Sequence, residues 1–265
     1  MQPSFFSADT DNGNIRALRA QAVANAQQLP SPLDLAACAY IGEALRIVDE
    51  GVADFATVDR ALQDQAGARM GPFALLASLG AANALPAMEA VYRMQHDEPR
   101  LRPGGPASLR LASDTASLRD VAEQPVPAAG ELPPVWVSTR AARRAELYQL
   151  LKNLGARIET GQSPSPQALS LVAPLGFDVT TVAVVERLDP ARTVGIDMLI
   201  EDAATKRRVL AVNPATRADM RDAAHALFAG DGKAVTVVSD TGGFLTQRVV
   251  AAVVNQACDA CQQRL

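Results

Sequence analysis

Histidine is nearly missing from this sequence, with only His96 and His225 among 265 residues. Acid–base chemistry near neutral pH draws on histidine more than on any other side chain, and neither residue has the neighbours such work requires. His96 lies in QHDEP and His225 in RDAAHALF, so both read as surface or helix-packing residues. No Ser/His/Asp or Cys/His constellation assembles from local spacing. Cysteine is almost as scarce. Cys38, Cys258 and Cys261 are too few for a disulfide framework and suit a reducing cytoplasm. No apolar run reaches 18 residues, so no membrane-spanning helix is expected. The N-terminal MQPSFFSADTDNGN carries acids in place of the basic start and apolar core of a signal peptide. A net charge of −4 gives no reason to expect nucleic acid or an anionic membrane as partner.

What is present is an ordinary globular composition, 48% hydrophobic and 20% charged, in a chain long enough to bury one large core or two small ones. Residues 1–30 read as an N-terminal tail and residues 31–94 as a helical module. Ser31-Pro32-Leu33-Asp34 supplies an N-cap, a proline in the first turn and an acid at the third position, opening a helix that ends near Gly51. Asp54 can cap a second helix to about Gln65. Met70-Gly71-Pro72-Phe73 launches a third at Ala74–Leu79, and a fourth runs over 82–94, where Pro86 is tolerable only in the first turn. Residues 95–134 hold seven of the 17 prolines and read as a Pro-rich linker, with a short helix at Ser108–Val121.

From 135 to 240 the pattern becomes strand, helix, strand. Apolar or β-branched runs fall at Val135–Thr139, Arg157–Thr160, Leu169–Ala173, Thr193–Leu199, Arg208–Val212 and Ala234–Ser239. Helical patterns at Ala141–Leu154, Thr180–Arg187 and Arg217–Ala229 lie between some of them, which argues for a parallel sheet covered by helices. Residues 241–265 open another long helix, with Val250, Val253, Val254, Ala257, Cys258 and Cys261 on one apolar stripe. That stripe makes the Cys258-x-x-Cys261 pair read as buried small hydrophobes, with no further Cys or His nearby to complete a metal shell.

A parallel sheet invites a dinucleotide site, yet the turn after the first strand is Ser138-Thr139-Arg140-Ala141, with no glycine before Gly155. Backbone amides approach a pyrophosphate only where glycines clear the way. No cofactor and no metal is therefore expected to be bound by these residues. Glu201 and Asp202 follow a strand and read as a solvated loop.

Two stretches carry a family resemblance. EALRIVDEGVADFATVDRALQDQAGARMGPFALLASLG (43–80) resembles the helical domain of 3-hydroxyacyl-CoA dehydrogenases, matching its MGPF turn at Met70, Gly71, Pro72 and Phe73. The family's Glu and Asp near that turn are Ala74 and Ala77 here. SDTGGFLTQRVV (239–250) resembles the family's DxPGFxxxR junction between nucleotide-binding sheet and helical domain, with the sheet before it similar to the reduced Rossmann-like domain of long, tandem members. Gly242 stands at a frequent proline, and Gln247 at an asparagine of the catalytic set.

The resemblance implies an α/β plus all-α protein, a helical dehydrogenase C-terminal-type module with a reduced Rossmann-like parallel-sheet domain. Residues 241–265 would be the first helix of a second helical module, and the whole would be the later part of a tandem dehydrogenase. It implies a role in NAD-dependent oxidation of 3-hydroxyacyl-CoA during fatty-acid or aromatic-acid breakdown, with Gln247 the one catalytic candidate. Met70, Gly71, Pro72 and Phe73 are candidates for the acyl-CoA cleft or a domain contact, and Gly242, Gly243, Phe244 and Arg248 for the interdomain turn. Implied partners are a second copy, as in a homo-oligomer, a full-length dehydrogenase and acyl-CoA. The rival readings are a stand-alone, non-catalytic interaction protein and a weak CoA-binding module.

Overall fold

The computed structural model describes residues 32–113, 122–128 and 130–263. The expected tail, the Ser31 cap and the second half of the helix expected at 108–121 lie outside the described residues. Five helices come first: α1 (Pro32–Asp49), α2 (Phe55–Asp64), α3 (Pro72–Leu79), α4 (Ala81–Met94) and α5 (Pro106–Ser113). Then come β1 (Val135–Val137), α6 (Arg144–Asn153), β2 (Ile158–Glu159), β3 (Leu169–Val172), α7 (Val179–Glu186), β4 (Thr193–Ile196), β5 (Arg207–Val212), α8 (Ala218–Phe228), β6 (Ala234–Ser239) and α9 (Leu245–Gln262). The chain divides into two compact units. Of the described residues, one comprises 32–63, 67–113 and 248–263; the other comprises 64–66, 122–128 and 130–247.

In the helical unit α1 is the central element, with Leu35, Ala44 and Ile47 fully buried. Asp54 caps α2 through the Thr57 amide at 2.7 Å, as the sequence predicts. Pro86 lies inside α4, in its second turn, not in the first. Both Pro86 and Ala82, whose carbonyl loses its helical donor to the proline ring, are exposed, so water can satisfy that carbonyl. Residues 99–113, expected within a linker, are tied to α1. Arg46 donates to the carbonyls of Pro99 and Arg100, and Asp49 accepts from the Ala107 amide at the start of α5. A side chain at Gly105 would collide with that Asp49 carboxylate. Proline here sets helix starts.

The second unit is a six-stranded sheet in the order β2-β1-β3-β4-β5-β6. It is mostly parallel, and the expectation of a parallel sheet needs one correction: β4 and β5 are antiparallel. The reason is local, because the segment 197–206 that joins them carries no crossover helix, without which two adjacent strands cannot run the same way. On one face Val137, Leu171, Ile196 and Leu210 pack with Leu147 and Leu151 of α6 and Leu227 and Phe228 of α8. On the other, Gly195 lets Val179 of α7 and Phe244 come within contact of β4, since a Cβ there would meet them at 2.5 and 3.0 Å. Helices thus cover both faces of an open sheet.

The apolar stripe expected on α9 is turned away from the core. Leu245, Val249, Gln256 and Ala260 are buried, Val254 is 46% exposed, and both Cys258 and Cys261 are exposed. Among the described residues no single helix is long and apolar enough to cross a membrane.

Candidate functional site

The strand order reverses at β1, where β2 lies to one side and β3 to the other. The crevice at the carboxyl ends of β1 and β3 is where an open α/β sheet receives a ligand. Here Ser138, buried at the end of β1, donates its hydroxyl to the Glu186 carboxylate at 2.7 and 2.8 Å and accepts the Arg140 amide at 3.0 Å. Arg144 folds back onto the Ser138 carbonyl. Arg143, at the N-cap of α6, sits in the left-handed region with no side-chain cap. Side chains fill this turn, and one of them brings a carboxylate to the place a phosphate would need.

The turn at 240–244 is built by a different acid. Asp240 accepts from the amides of Val179 and Thr180 at 2.7 and 2.8 Å and from the Thr180 hydroxyl, so it caps α7. Gly243 needs its glycine, with φ at 80°, and its amide meets the Phe177 carbonyl. Gly242 has no such need, since a Cβ there meets only the Gly176 carbonyl at 3.9 Å. Phe244 is buried against Gly195.

Gln247 closes a buried polar cluster. Its amide nitrogen donates to Asp197 Oδ1 at 2.9 Å and to the Pro174 carbonyl at 3.1 Å; its oxygen accepts from the Gly176 amide at 2.9 Å. Asp197, 1% exposed, also accepts from the Leu199 amide, and its Oδ2 has no hydrogen-bond partner among the described residues. Burial pushes its carboxyl above the usual carboxylate range, against the pull of the donors around it. Gln65 donates to the Asp197 carbonyl and accepts from the Thr246 hydroxyl. Every polar atom of Gln247 is thus committed to holding the loops after β3 and β4 together.

In the helical unit the turn at 70–73 is equally committed. Asp59 reaches from α2 to accept the amides of Phe73 and Ala74 at 2.9 and 2.8 Å, an acid stabilising the positive end of α3. A Cβ on Gly71 would lie 2.2 Å from the Asp59 carboxyl carbon. Pro72 occupies the first turn, where its missing N–H costs nothing. Phe73, fully buried, meets Phe55 edge-on at 4.8 Å. The Met70 carbonyl accepts from Tyr40. Gly71→Ala is therefore expected to cost about 1–3 kcal/mol through overpacking, read as a lower denaturant midpoint in a urea titration followed by circular dichroism. An unchanged midpoint would mean Asp59 swings aside freely.

Residues 36–112 match the C-terminal domain of 3-hydroxyacyl-CoA dehydrogenase. Over that segment the chain is similar to 3-hydroxyacyl-CoA dehydrogenases. The crystal structure of 3-hydroxybutyryl-CoA dehydrogenase from Escherichia coli K12 shares its fold, with a TM-score of 0.59 and 23% identity, covering 87% of this chain and 46% of that one. The chain thus spans about half the length of that protein. No curated protein matches the sequence.

In the helical unit, Arg248 bridges Glu43 of α1 at 2.7 Å and Glu50 just beyond it, and Glu43 also holds Arg46 at 2.8 Å. Of the turn residues chosen from sequence, Gly243 and Phe244 shape the backbone and its packing, and Arg248 anchors α9 inside the helical unit. Met70, Gly71, Pro72 and Phe73 gather round Asp59. Each group is thus engaged within its own unit, the 70–73 turn and Arg248 in the helical unit and Gln247 with the 242–244 turn in the sheet unit. His225 is buried, its Nε2 has no hydrogen-bond partner among the described residues, and burial lowers its pKa; His96 is exposed. No group of three or more His, Cys, Asp or Glu among the described residues is placed to hold a metal. Sequence reasoning missed Asp59, Glu186, Asp197 and Asp240. Of these, only Asp240, sitting at the start of the recognised turn, carried a signal that could have found it.

Proposed function

We propose that this chain serves NAD-dependent oxidation of 3-hydroxyacyl-CoA, in fatty-acid or aromatic-acid breakdown, as a part without its own nucleotide site. It would supply the helical module, oligomer contacts and a share of the acyl-CoA cleft to a dehydrogenase. The observation that carries this reading is the family match over 36–112 in a chain whose β1 turn gives its Ser138 hydroxyl to Glu186. A diphosphate there would face a carboxylate and lack glycine amides, so these residues do not fit the cofactor. Gln247, with its amide spent on Asp197, Pro174 and Gly176, is not free to polarise a substrate. Free thiols suit a reducing compartment, and we place the protein in the cytoplasm.

Mixed with NAD and a 3-hydroxyacyl-CoA, the chain is expected to give no NADH absorbance at any pH, because its residues neither hold the added NAD against the substrate nor place a base beside the hydroxyl. Turnover should appear only on adding a dehydrogenase nucleotide-binding domain. Titration with NAD alone should show no binding. A micromolar dissociation constant, about 8 kcal/mol, or turnover lost in His225→Ala would overturn the reading.

A partner surface is suggested by the large apolar side chains left exposed on and before α7, namely Leu175, Phe177, Val184 and Val185 at 52–72%. We expect light scattering to report a species larger than the monomer, and Val184→Asp with Val185→Asp to return it to the monomer without lowering the unfolding temperature. A wild-type monomer would remove the oligomer from the proposal.

A further inference from the structure

We propose that Cys258 and Cys261 form a redox-active dithiol, oxidised to an intramolecular disulfide by exchange with a small disulfide of the glutathione class. The sequence pattern alone makes the pair look like buried hydrophobes. The structure removes that explanation, because both thiols are exposed while Cys38 is buried with its pKa pushed up to about 12 by burial and by Asp34. The pair lies three residues apart on α9, on one face one turn apart. At that spacing Cβ atoms sit about 5–6 Å apart, against about 3.8 Å in a relaxed disulfide. The bond can therefore form within the helix, but only by drawing the turn tighter. Strained and exposed disulfides are the labile ones, with potentials high enough to be reduced again by a thiol pool.

The chemistry closes without further reactants. One cysteine thiolate attacks a sulfur of glutathione disulfide, forming a mixed disulfide and releasing one glutathione thiolate. The other cysteine thiolate attacks the protein-side sulfur and releases the second. The protein loses two electrons and two protons, and one glutathione disulfide becomes two glutathiones. The strain has a defined address. Asp259, between the two cysteines, pairs with Arg100 at 2.8 Å, and Gln263 donates to Gln95 at 3.1 Å. Tightening the turn disturbs both contacts, so oxidation loosens this part of α9 within the helical unit.

The test equilibrates the native chain in glutathione buffers of rising oxidised fraction, quenches with acid and weighs the intact protein. The expected product is lighter by two hydrogens, with peptide mapping placing the bond at 258 and 261 and Cys38 still a thiol. Cys258→Ser and Cys261→Ser should each stop at one glutathione adduct. Reduced glutathione should reverse the wild-type product, and hydrogen exchange at 258–263 should rise on oxidation and fall on reduction. Wild-type protein that ends as glutathione adducts, as covalent dimers, with a bond to Cys38 or with its thiols unconsumed would overturn the proposal.

Discussion

Arg208→Leu is expected to lower the stability of the sheet unit by about 3 kcal/mol, seen as a fall of roughly 10 °C in its unfolding temperature. Arg207 and Arg208 are consecutive in β5 and point to opposite faces, yet both are at most 2% exposed. Arg208 grips Asp231 with two bonds of 2.8 Å, donates to the Phe228 carbonyl at the end of α8 at 2.7 Å, and lies 3.4 Å from Glu201. A leucine would fill much of the volume but leave a helix-end carbonyl unpaired and Glu201, 12% exposed, with Lys233 as its one remaining ion partner among the described residues. Asp231 is 38% exposed and can regain water, which places the cost at the lower end of the range for breaking a buried pair. The pH dependence gives an independent check. The Arg208 guanidinium holds the Asp231 carboxyl down at about 2, below its ordinary 3.8. That contribution is complete above 3.8 and disappears as pH falls towards 2. The variant should lack this part of the acid dependence. A loss below about 1 kcal/mol, with acid dependence unchanged, would show that the pair is not what holds α8 to the strand.

The difference between what could be read from residues and what could not follows from the range of each interaction. Helices α1 to α4 and strands β3 to β6 are written in local periodicity, capping and breakers, so their bounds fall within a few residues of expectation. Asp54 capping α2 is such a local event. Asp59 capping α3 spans 14 residues in sequence and uses a side chain from a neighbouring helix, so no window over 70–73 reveals it. The same holds for α9. Its apolar stripe is real, but Arg248 and Gln256 sit on or beside the buried edge, Arg248 paired to acids of α1. Ion pairing with another element outweighed the apolar period. Strand β5 was legible from Arg208 onwards, but the burial of both its arginines was not, since a buried guanidinium is legible only once its acids are placed. As for the site, the family's turns were recognisable as backbone, while the duties of Gln247 depend on Asp197, 50 residues away.

That pair yields the second large effect. Gln247→Leu is expected to cost about 2–4 kcal/mol, because it strands the Pro174 carbonyl and the Gly176 amide and removes a donor from a carboxyl that already has one oxygen without a partner among the described residues. Asp197→Asn should behave in the opposite way at neutral pH. The raised pKa of Asp197 means that the fold binds its proton more tightly than the unfolded chain does. Its effect on stability is therefore most favourable below 3.8 and declines as pH rises through the folded value. Asparagine keeps an oxygen for Leu199 and Gln247 and carries no charge to bury. Its stability should match or exceed wild type at pH 7, with the advantage gone near pH 3.5, because protonated aspartate and asparagine then bury similar groups. Combining Asp197→Asn with Gln247→Leu should be less damaging than the sum of the separate changes, since the strongest loss in the leucine variant is the donor to a buried charge. Urea titrations of the four proteins at pH 3.5 and pH 7 decide the matter. An asparagine variant weaker than wild type by more than about 2 kcal/mol at pH 7, with no pH trend, would show that Asp197 is held as a well-satisfied carboxylate and that the cluster is a rigid ion site.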